Sequence, residues 1–286
     1  MEPARRISVG DYDACWVRDT DFAIDAGTMF NTVPRVLWQR KIAMDDQHRM
    51  RIGLNCLLLR GEGHTVLVDA GIGDKLPEKQ KRIYGLDSGR SLIDSLREAG
   101  VGCEQIDYVV LTHLHLAHAG WATRFDSRGR LTCTFPNARF VVQQAEWDAA
   151  HAPSELTEGS YRGEDFDLLA AEGRLMLVEG ECRVTPSIRT RLTGGHSPGH
   201  QIVRIDSGGQ TLICPSEMLP TSWHMRLAWL MSYDLDTPRV LEAKRAIMEE
   251  AAARGQVLFL NHDPVTAFGR LRAAGRTEYA WEPVMT

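Results

Sequence analysis

Three histidines, His113, His115 and His118, fall within the nine residues Thr112-His113-Leu114-His115-Leu116-Ala117-His118-Ala119-Gly120, directly after the apolar run Tyr108-Val109-Val110-Leu111. A buried strand that ends this way can aim several imidazoles at one point, and borderline cations such as zinc favour imidazole. For His113 and His115 the plainer alternative is a pair of ordinary surface histidines. His118 lies one turn beyond His115 and would face a second ion. The same stretch holds a gap. A two-metal hydrolytic site wants a carboxylate at position 117, and the chain has alanine there.

Other strand-like runs end in residues of the same chemistry. Val66-Leu67-Val68 leads to Asp69, and Arg189 to Leu192 leads through Thr193-Gly194-Gly195 to His196. Thr211 to Cys214 leads to Glu217, and Val257 to Leu260 leads to Asn261-His262-Asp263. Layered α/β folds bind ligands outside the carboxyl ends of their strands, so these endings would bring their side chains to one edge of the molecule. His196 and His262 are read as metal ligands. His200, within Gly194-Gly195-His196-Ser197-Pro198-Gly199-His200, is read as a support for them. Asp69 either starts a turn before Ala70-Gly71 or accepts a hydrogen bond that orients a ligand histidine. His48, His64 and His151 have no such context, and neither does His224, although it could line a pocket. Trp223, Trp229 and Tyr233 follow Glu217 in a bulky loop. They either pack as core or lid, or line a substrate pocket in which Tyr233 donates to a carbonyl oxygen.

The elements that would carry these residues alternate between strand and helix patterns, which predicts a layered α/β domain. Leu54 to Leu59 and Val66 to Val68 read as adjacent strands split by Gly61-Glu62-Gly63. Ser91 to Ala99 reads as a helix stopped by Gly100, and Phe140 to Val142 as a strand followed by a helix from Gln144 to Ala152. In the second half Arg189 to Leu192, Gln201 to Ile205 and Thr211 to Cys214 read as strands, the last two joined at Ser207-Gly208-Gly209. Thr237-Pro238 opens a helix, with Thr237 as its cap, Val240, Ala243, Ile247 and Ala251 as its apolar stripe and Gly255 as its stop. Residues 154 to 180 are polar and acidic, with a weak helical signal, and suggest a surface connection. Residues 1 to 50 suggest an N-terminal arm or a flap over a cleft, because Met29, Phe30, Val33, Val36, Leu37 and Trp38 show no clean period. An apolar arm would suit a homodimer.

Composition bounds the function. A chain of 286 residues with net charge −5 lacks the basic face that phosphate contacts require, which argues against nucleic acid as a partner. It has no apolar run of about 18 residues that would span a membrane. The start, Met1-Glu2-Pro3-Ala4-Arg5-Arg6, lacks the apolar core of a secretory signal. The six cysteines, Cys15, Cys56, Cys103, Cys133, Cys182 and Cys214, are scattered without a CxxC pair. Reduced thiols and a cytoplasmic setting are therefore expected.

Taken together, these motifs resemble the metallo-β-lactamase-fold hydrolase superfamily. The His-x-His-x-Asp-His pattern of that family falls on His113, His115, position 117 and His118. Its Asp-Thr-Gly element is similar to Asp69-Ala70-Gly71, its later histidine to His196, its bridging aspartate to Glu217 and its last histidine to His262. Asp25-Ala26-Gly27-Thr28-Met29-Phe30 and Val33-Pro34-Arg35-Val36-Leu37-Trp38 resemble the branch holding N-acyl homoserine lactonases and methyl parathion hydrolase. The resemblance implies one domain over 1–286, a four-layer αβ/βα sandwich of two similar halves with the site at one edge. It implies hydrolysis of an ester, lactone or phosphotriester by a metal-bound hydroxide. One ion would sit on His113, His115 and His196, and the other on position 117, His118 and His262, with Glu217 between them. Zinc is expected, with manganese or iron as alternatives.

Ala117 neither ligates nor compensates charge, so Glu217 is left as the lone carboxylate. The expectation is one firmly bound ion and a second that is weak or absent. Glu217, one methylene longer than aspartate, would swing toward the vacated space and act as ligand or general base; otherwise it only fills volume. An introduced substitution at 117 would leave Glu217 unexplained. The rival to a hydrolase is a non-catalytic small-molecule binding protein on the same scaffold. A mononuclear iron redox enzyme is a weaker third reading.

Overall fold

The computed structural model describes residues 3, 5–86 and 89–285. The N-terminal stretch that was read for a secretory signal lies partly outside them. Two seven-stranded sheets carry the fold. The first runs, in spatial order, through Arg6–Val9, Tyr12–Asp25, Arg49–Gly61, His64–Val68, Tyr108–Val110, Arg139–Gln143 and Leu175–Val178. Its first three junctions are antiparallel and its last three parallel. The second runs through Glu181–Arg183, Ile188–Leu192, Gln201–Ser207, Gln210–Cys214, Val257–Phe259, Phe268–Ala273 and Tyr279–Pro283. It is antiparallel except where Gln210–Cys214 meets Val257–Phe259.

Strand periodicity sorts the side chains into layers. Leu57, Leu59, Val66, Val68, Val110 and Val141 face Val203, Ile205, Leu212, Cys214, Phe259 and Phe268 across the sandwich. The alternate residues Cys56, Leu58, Leu67, Val109 and Phe140 turn outward onto Leu92, Leu96, Phe166 and Leu169 of helices. Ile202, Ile213 and Leu258 likewise pack on Val240, Ile247, Met248 and Ala251 of the helix Thr237–Arg254. The result is the expected αβ/βα sandwich. All six cysteines are free thiols. Among the described residues no helix is long and apolar enough to cross a membrane.

Three readings of the sequence need correction. Residues 1–50 are not one arm or flap. Tyr12–Asp25 is a long inner strand paired along Arg49–Gly61, with a register shift between Arg18 and Asp21. Because that strand is covered on both faces it shows no alternation, and the one long segment outside the sheets among the described residues before position 50 runs from Ala26 to His48. Residues 154–180 do more than connect the halves. They hold the helix Gly163–Ala171, which buries Phe166 and Leu169, and the edge strand Leu175–Val178. The cap of the long C-terminal helix is Asp236, whose carboxylate accepts from the Arg239 N–H, so Thr237 becomes the first helical residue. The Asp236 N–H in turn donates to Gly195 O at 2.8 Å, and this docks the helix start against the loop that carries His196.

Candidate metal centre

Asp69 ends the strand His64–Val68 with φ +61°, a left-handed backbone that aspartate tolerates better than most residues. Its carboxylate accepts from the Thr112 N–H at 2.8 Å, the Thr112 hydroxyl at 2.9 Å, Asn261 Nδ2 at 2.7 Å and His118 Nδ1 at 2.9 Å. One buried acid therefore joins three strand endings and fixes the tautomer of His118. Ser216, also left-handed at φ +49°, donates to Thr112 Oγ1 at 2.9 Å and sets the turn that presents Glu217. His200 supports the same turn. Its Nε2 accepts from the Glu217 N–H at 3.3 Å while its Nδ1 donates to Thr193 Oγ1 at 2.7 Å.

His113, His115 and His196 bring one ring nitrogen each within 4.8 Å of one another. The hydroxyl proton of Thr112 goes to Asp69, so His113 Nδ1, 3.1 Å from Thr112 Oγ1, is the donor of that pair. His113 Nε2 is then a buried lone pair with no hydrogen-bond partner. His196 Nδ1 donates to Asp234 Oδ1 at 3.0 Å, which turns its Nε2 lone pair toward His115 Nδ1 at 3.2 Å. Tetrahedral zinc with bonds of about 2.0–2.1 Å holds its nitrogens about 3.3 Å apart, so this spacing fits a shared cation. Burial holds His113 and His115 well below the ordinary imidazole range, and the neighbouring imidazoles add to it. These rings are neutral and available as ligands.

A second triangle lies beside the first. His118 Nε2 is 2.9 Å from Glu217 Oε1 and 3.2 Å from His262 Nε2, and His262 Nε2 is 2.6 Å from the same oxygen. His262 Nδ1 donates to Gly53 O at 3.0 Å, which leaves its Nε2 as an acceptor. Three acceptor atoms this close repel unless a cation sits among them. Without a metal that cation is a proton. Burial opposes charge on His118, but Asp69 and Glu217 outweigh it and push the imidazole up to about 10. Burial likewise favours a neutral Glu217, yet His262, His118 and His196 hold it well below the usual carboxylate range. An anion-lined triangle that attracts a proton so strongly also fits a divalent ion.

Both triangles open into one cleft of about 140 Å³. Ala117 and Tyr233 line it, and Phe22, Ile24, Met29 and Ile52 form an apolar wall. Glu217 is the lone carboxylate among its lining residues. Tyr233 is 42% exposed and lines the open side of the cleft. Trp229, buried against Phe30, and Trp223 pack in the same cluster as that wall, but neither lines the cleft. His224 is fully buried, with Nε2 donating to Met29 O at 2.7 Å and Nδ1 accepting from Thr221 Oγ1 at 2.7 Å, and it lies away from the cleft. Sequence reasoning missed Asp234, Asn261 and the apolar wall. Asp234 carries no motif, and its role comes from the buried hydrogen bond it accepts from His196, 38 residues away in the chain.

Residues 51–132 match the family model of the metallo-beta-lactamase superfamily. The chain is similar to the N-acyl homoserine lactonase AttM of Agrobacterium fabrum, 28% identical over 229 residues that span 73% of this chain and 80% of that protein. It is 24% identical over 225 residues to the N-acyl homoserine lactonase AiiA of Bacillus thuringiensis subsp. kurstaki, with the same shares covered. The metallo-β-lactamase fold of the chain superposes on a probable metal-dependent hydrolase from Staphylococcus aureus with a TM-score of 0.88 and 27% identity, over 98% of this chain and 99% of that one. AidC, a dizinc quorum-quenching lactonase solved with a product, shares the fold at a TM-score of 0.79 and 19% identity, over 98% of this chain and 97% of that one.

Proposed function

We propose that this chain is a metal-dependent hydrolase of a lactone or a related ester, with phosphotriesters as a further electrophile class. The observation that carries the reading is the pair of donor triangles opening into one cleft, with Glu217 as their only carboxylate. Ions held by His113, His115 and His196, and by His118, His262 and Glu217, would polarise the scissile group and acidify the attacking water. The chain's own residues do the rest. Asp234, Asp69 and Gly53 fix the ring nitrogens that face the cleft. Glu217 Oε1, within 2.9 Å of His118 Nε2 and 2.6 Å of His262 Nε2, stays ionised and faces the proton that His118 carries where no ion is bound. Tyr233 donates to the carbonyl oxygen from the rim, and the apolar wall receives an acyl group and excludes water.

Ala117 favours zinc, manganese or iron in the three-histidine triangle and a weak or absent ion in the other, because one negative charge is missing. The same residue gives the rival reading, a small-molecule binder on a hydrolase scaffold, its foothold. Purified chain loaded with zinc and assayed on N-acyl homoserine lactones, aryl esters and phosphotriesters separates the two. Hydrolysis that falls on the order of 100-fold or more in His113→Ala supports the enzyme. Stabilisation by these compounds without turnover supports the binder. Less than about 0.3 ions per chain under metal-replete conditions rejects both metal triangles.

A further inference from the structure

Glu146 sits in the first turn of the helix Gln144–His151, outside the cleft, and is fully buried. A buried carboxylate persists only where donors compensate it, and the donors here come from the site. Oε1 accepts from the Leu114 N–H at 3.0 Å and from the Tyr161 hydroxyl at 3.2 Å. Oε2 accepts from the Ser197 hydroxyl at 2.6 Å and from the Gly199 N–H at 3.1 Å. Leu114 lies between His113 and His115, and Ser197 follows His196. Tyr161 pairs with His115 through an isolated backbone bridge, and its ring stands edge-on to that imidazole with centroids 4.9 Å apart. Gly199 lets the two segments meet, since a Cβ there would lie 2.1 Å from the Glu146 backbone nitrogen.

We infer that Glu146 is the positioning residue of the three-histidine triangle. One carboxylate holds the loop of His113 and His115 in register with the loop of His196, and neither loop bonds to it through a ligand ring. The second triangle is built differently. His118 and His262 are oriented by Asp69 and Gly53 and make no contact with Glu146. Loss of the carboxylate therefore acts on one triangle and spares the other. This inference rests on the metal-binding reading of the site.

The test is a zinc titration against a competing chelator, with cobalt(II) absorption as a second readout. It compares the wild-type chain with Glu146→Gln, whose NH2 group faces donors where the carboxylate accepted. Metal affinity at the three-histidine triangle is expected to fall about 10–100-fold, as when the group behind a metal ligand is removed. The cobalt spectrum of that triangle should shift, while binding at the His118–His262–Glu217 triangle holds. Ser197→Ala and Tyr161→Phe each remove one donor and keep the carboxylate, so each should weaken that triangle about 5-fold, one ordinary hydrogen bond. They carry the test if Glu146→Gln does not fold. Equal affinity and an unchanged cobalt spectrum in the variants overturn the role of Glu146 alone. Equal loss at both triangles assigns Glu146 to general stability and also overturns it. A wild-type chain that binds neither metal overturns the inference together with the metal reading.

Discussion

Lys244 on the helix Thr237–Arg254 is 1% exposed, and its Nζ donates to Trp229 O at 2.6 Å. It lies beneath the segment that supplies Met231, Tyr233 and Asp234 to the site. Burial is the dominant influence on its ammonium and brings it down to about 7, against a smaller upward pull from Asp234. The fall from the ordinary 10.5 to about 7 amounts to about 5 kcal/mol at about 1.4 kcal/mol per pH unit. Between those pH values the unfolded chain binds a proton that the folded chain does not. The contribution is thus complete above pH 10.5 and is lost as pH falls through 7. Lys244→Met abolishes this penalty but leaves the Trp229 carbonyl unpaired, at about 1–3 kcal/mol. The variant should be more stable than wild type by about 2–4 kcal/mol at neutral pH. The gap should close as pH rises and change sign between about pH 8 and 10, where the remaining penalty equals the lost hydrogen bond, so that near pH 10.5 only that loss remains. Urea unfolding of metal-free wild type and variant across about pH 6–10 measures that difference and cancels the other titrations. A gap independent of pH, or a less stable variant at pH 7, would refute the electrostatic account of Lys244.

Ala117→Asp restores a second carboxylate beside His118. It should raise affinity for the second ion on the order of 100-fold, well short of the bare Coulomb gain because the new charge is partly desolvated. Stoichiometry from zinc titration checks it, and unchanged occupancy would remove the explanation offered for the gap. Asp234→Asn keeps the hydrogen bond to His196 Nδ1 but takes away its charge. Zinc affinity of the three-histidine triangle should drop about 10–100-fold, read by chelator competition, with the His118 triangle unaffected.

The positions that were legible in the sequence are those where one short segment states both strand and ligand. Tyr108 to Leu111 followed by three histidines is such a place, and His196, Glu217 and His262 each close a buried run in the same way. The structure brings these four endings together, with His113 and His196 ring centroids 4.9 Å apart. What stayed hidden depends on partners distant in sequence. Asp234 reads as one more loop acid until His196 is seen to rest on it. Tyr12–Asp25 reads as an unpatterned arm because both of its faces are covered. Glu146 falls in a helix of unremarkable composition, and its four donors come from three segments that no local window joins. Periodicity reports one face of one element, whereas these roles are set by what meets across elements.

The missing aspartate and the extra methylene of Glu217 are best understood as one change. A carboxylate that bridged both triangles evenly would stand midway between them. Glu217 Oε1 instead lies 2.6 and 2.9 Å from His262 and His118, with His113 only within the wider 4.8 Å grouping. On the proposed reading the longer side chain leans into the second triangle, the one that has alanine at position 117. It gives that triangle its single negative charge and leaves the first with imidazoles alone, His113 and His115 held neutral by burial and His196 raised against its burial by Asp234 and Glu217. Each triangle then favours a different occupant. Three imidazole nitrogens hold a divalent ion through geometry, whereas two imidazoles sharing one carboxylate bind a proton and a metal in competition. The pull on His118, up to about 10, measures how strongly the proton competes. A second ion must displace that proton before it can bind, so its affinity should rise with pH more steeply than that of the first. Equal pH slopes for the two binding steps would mean that Glu217 serves both triangles alike.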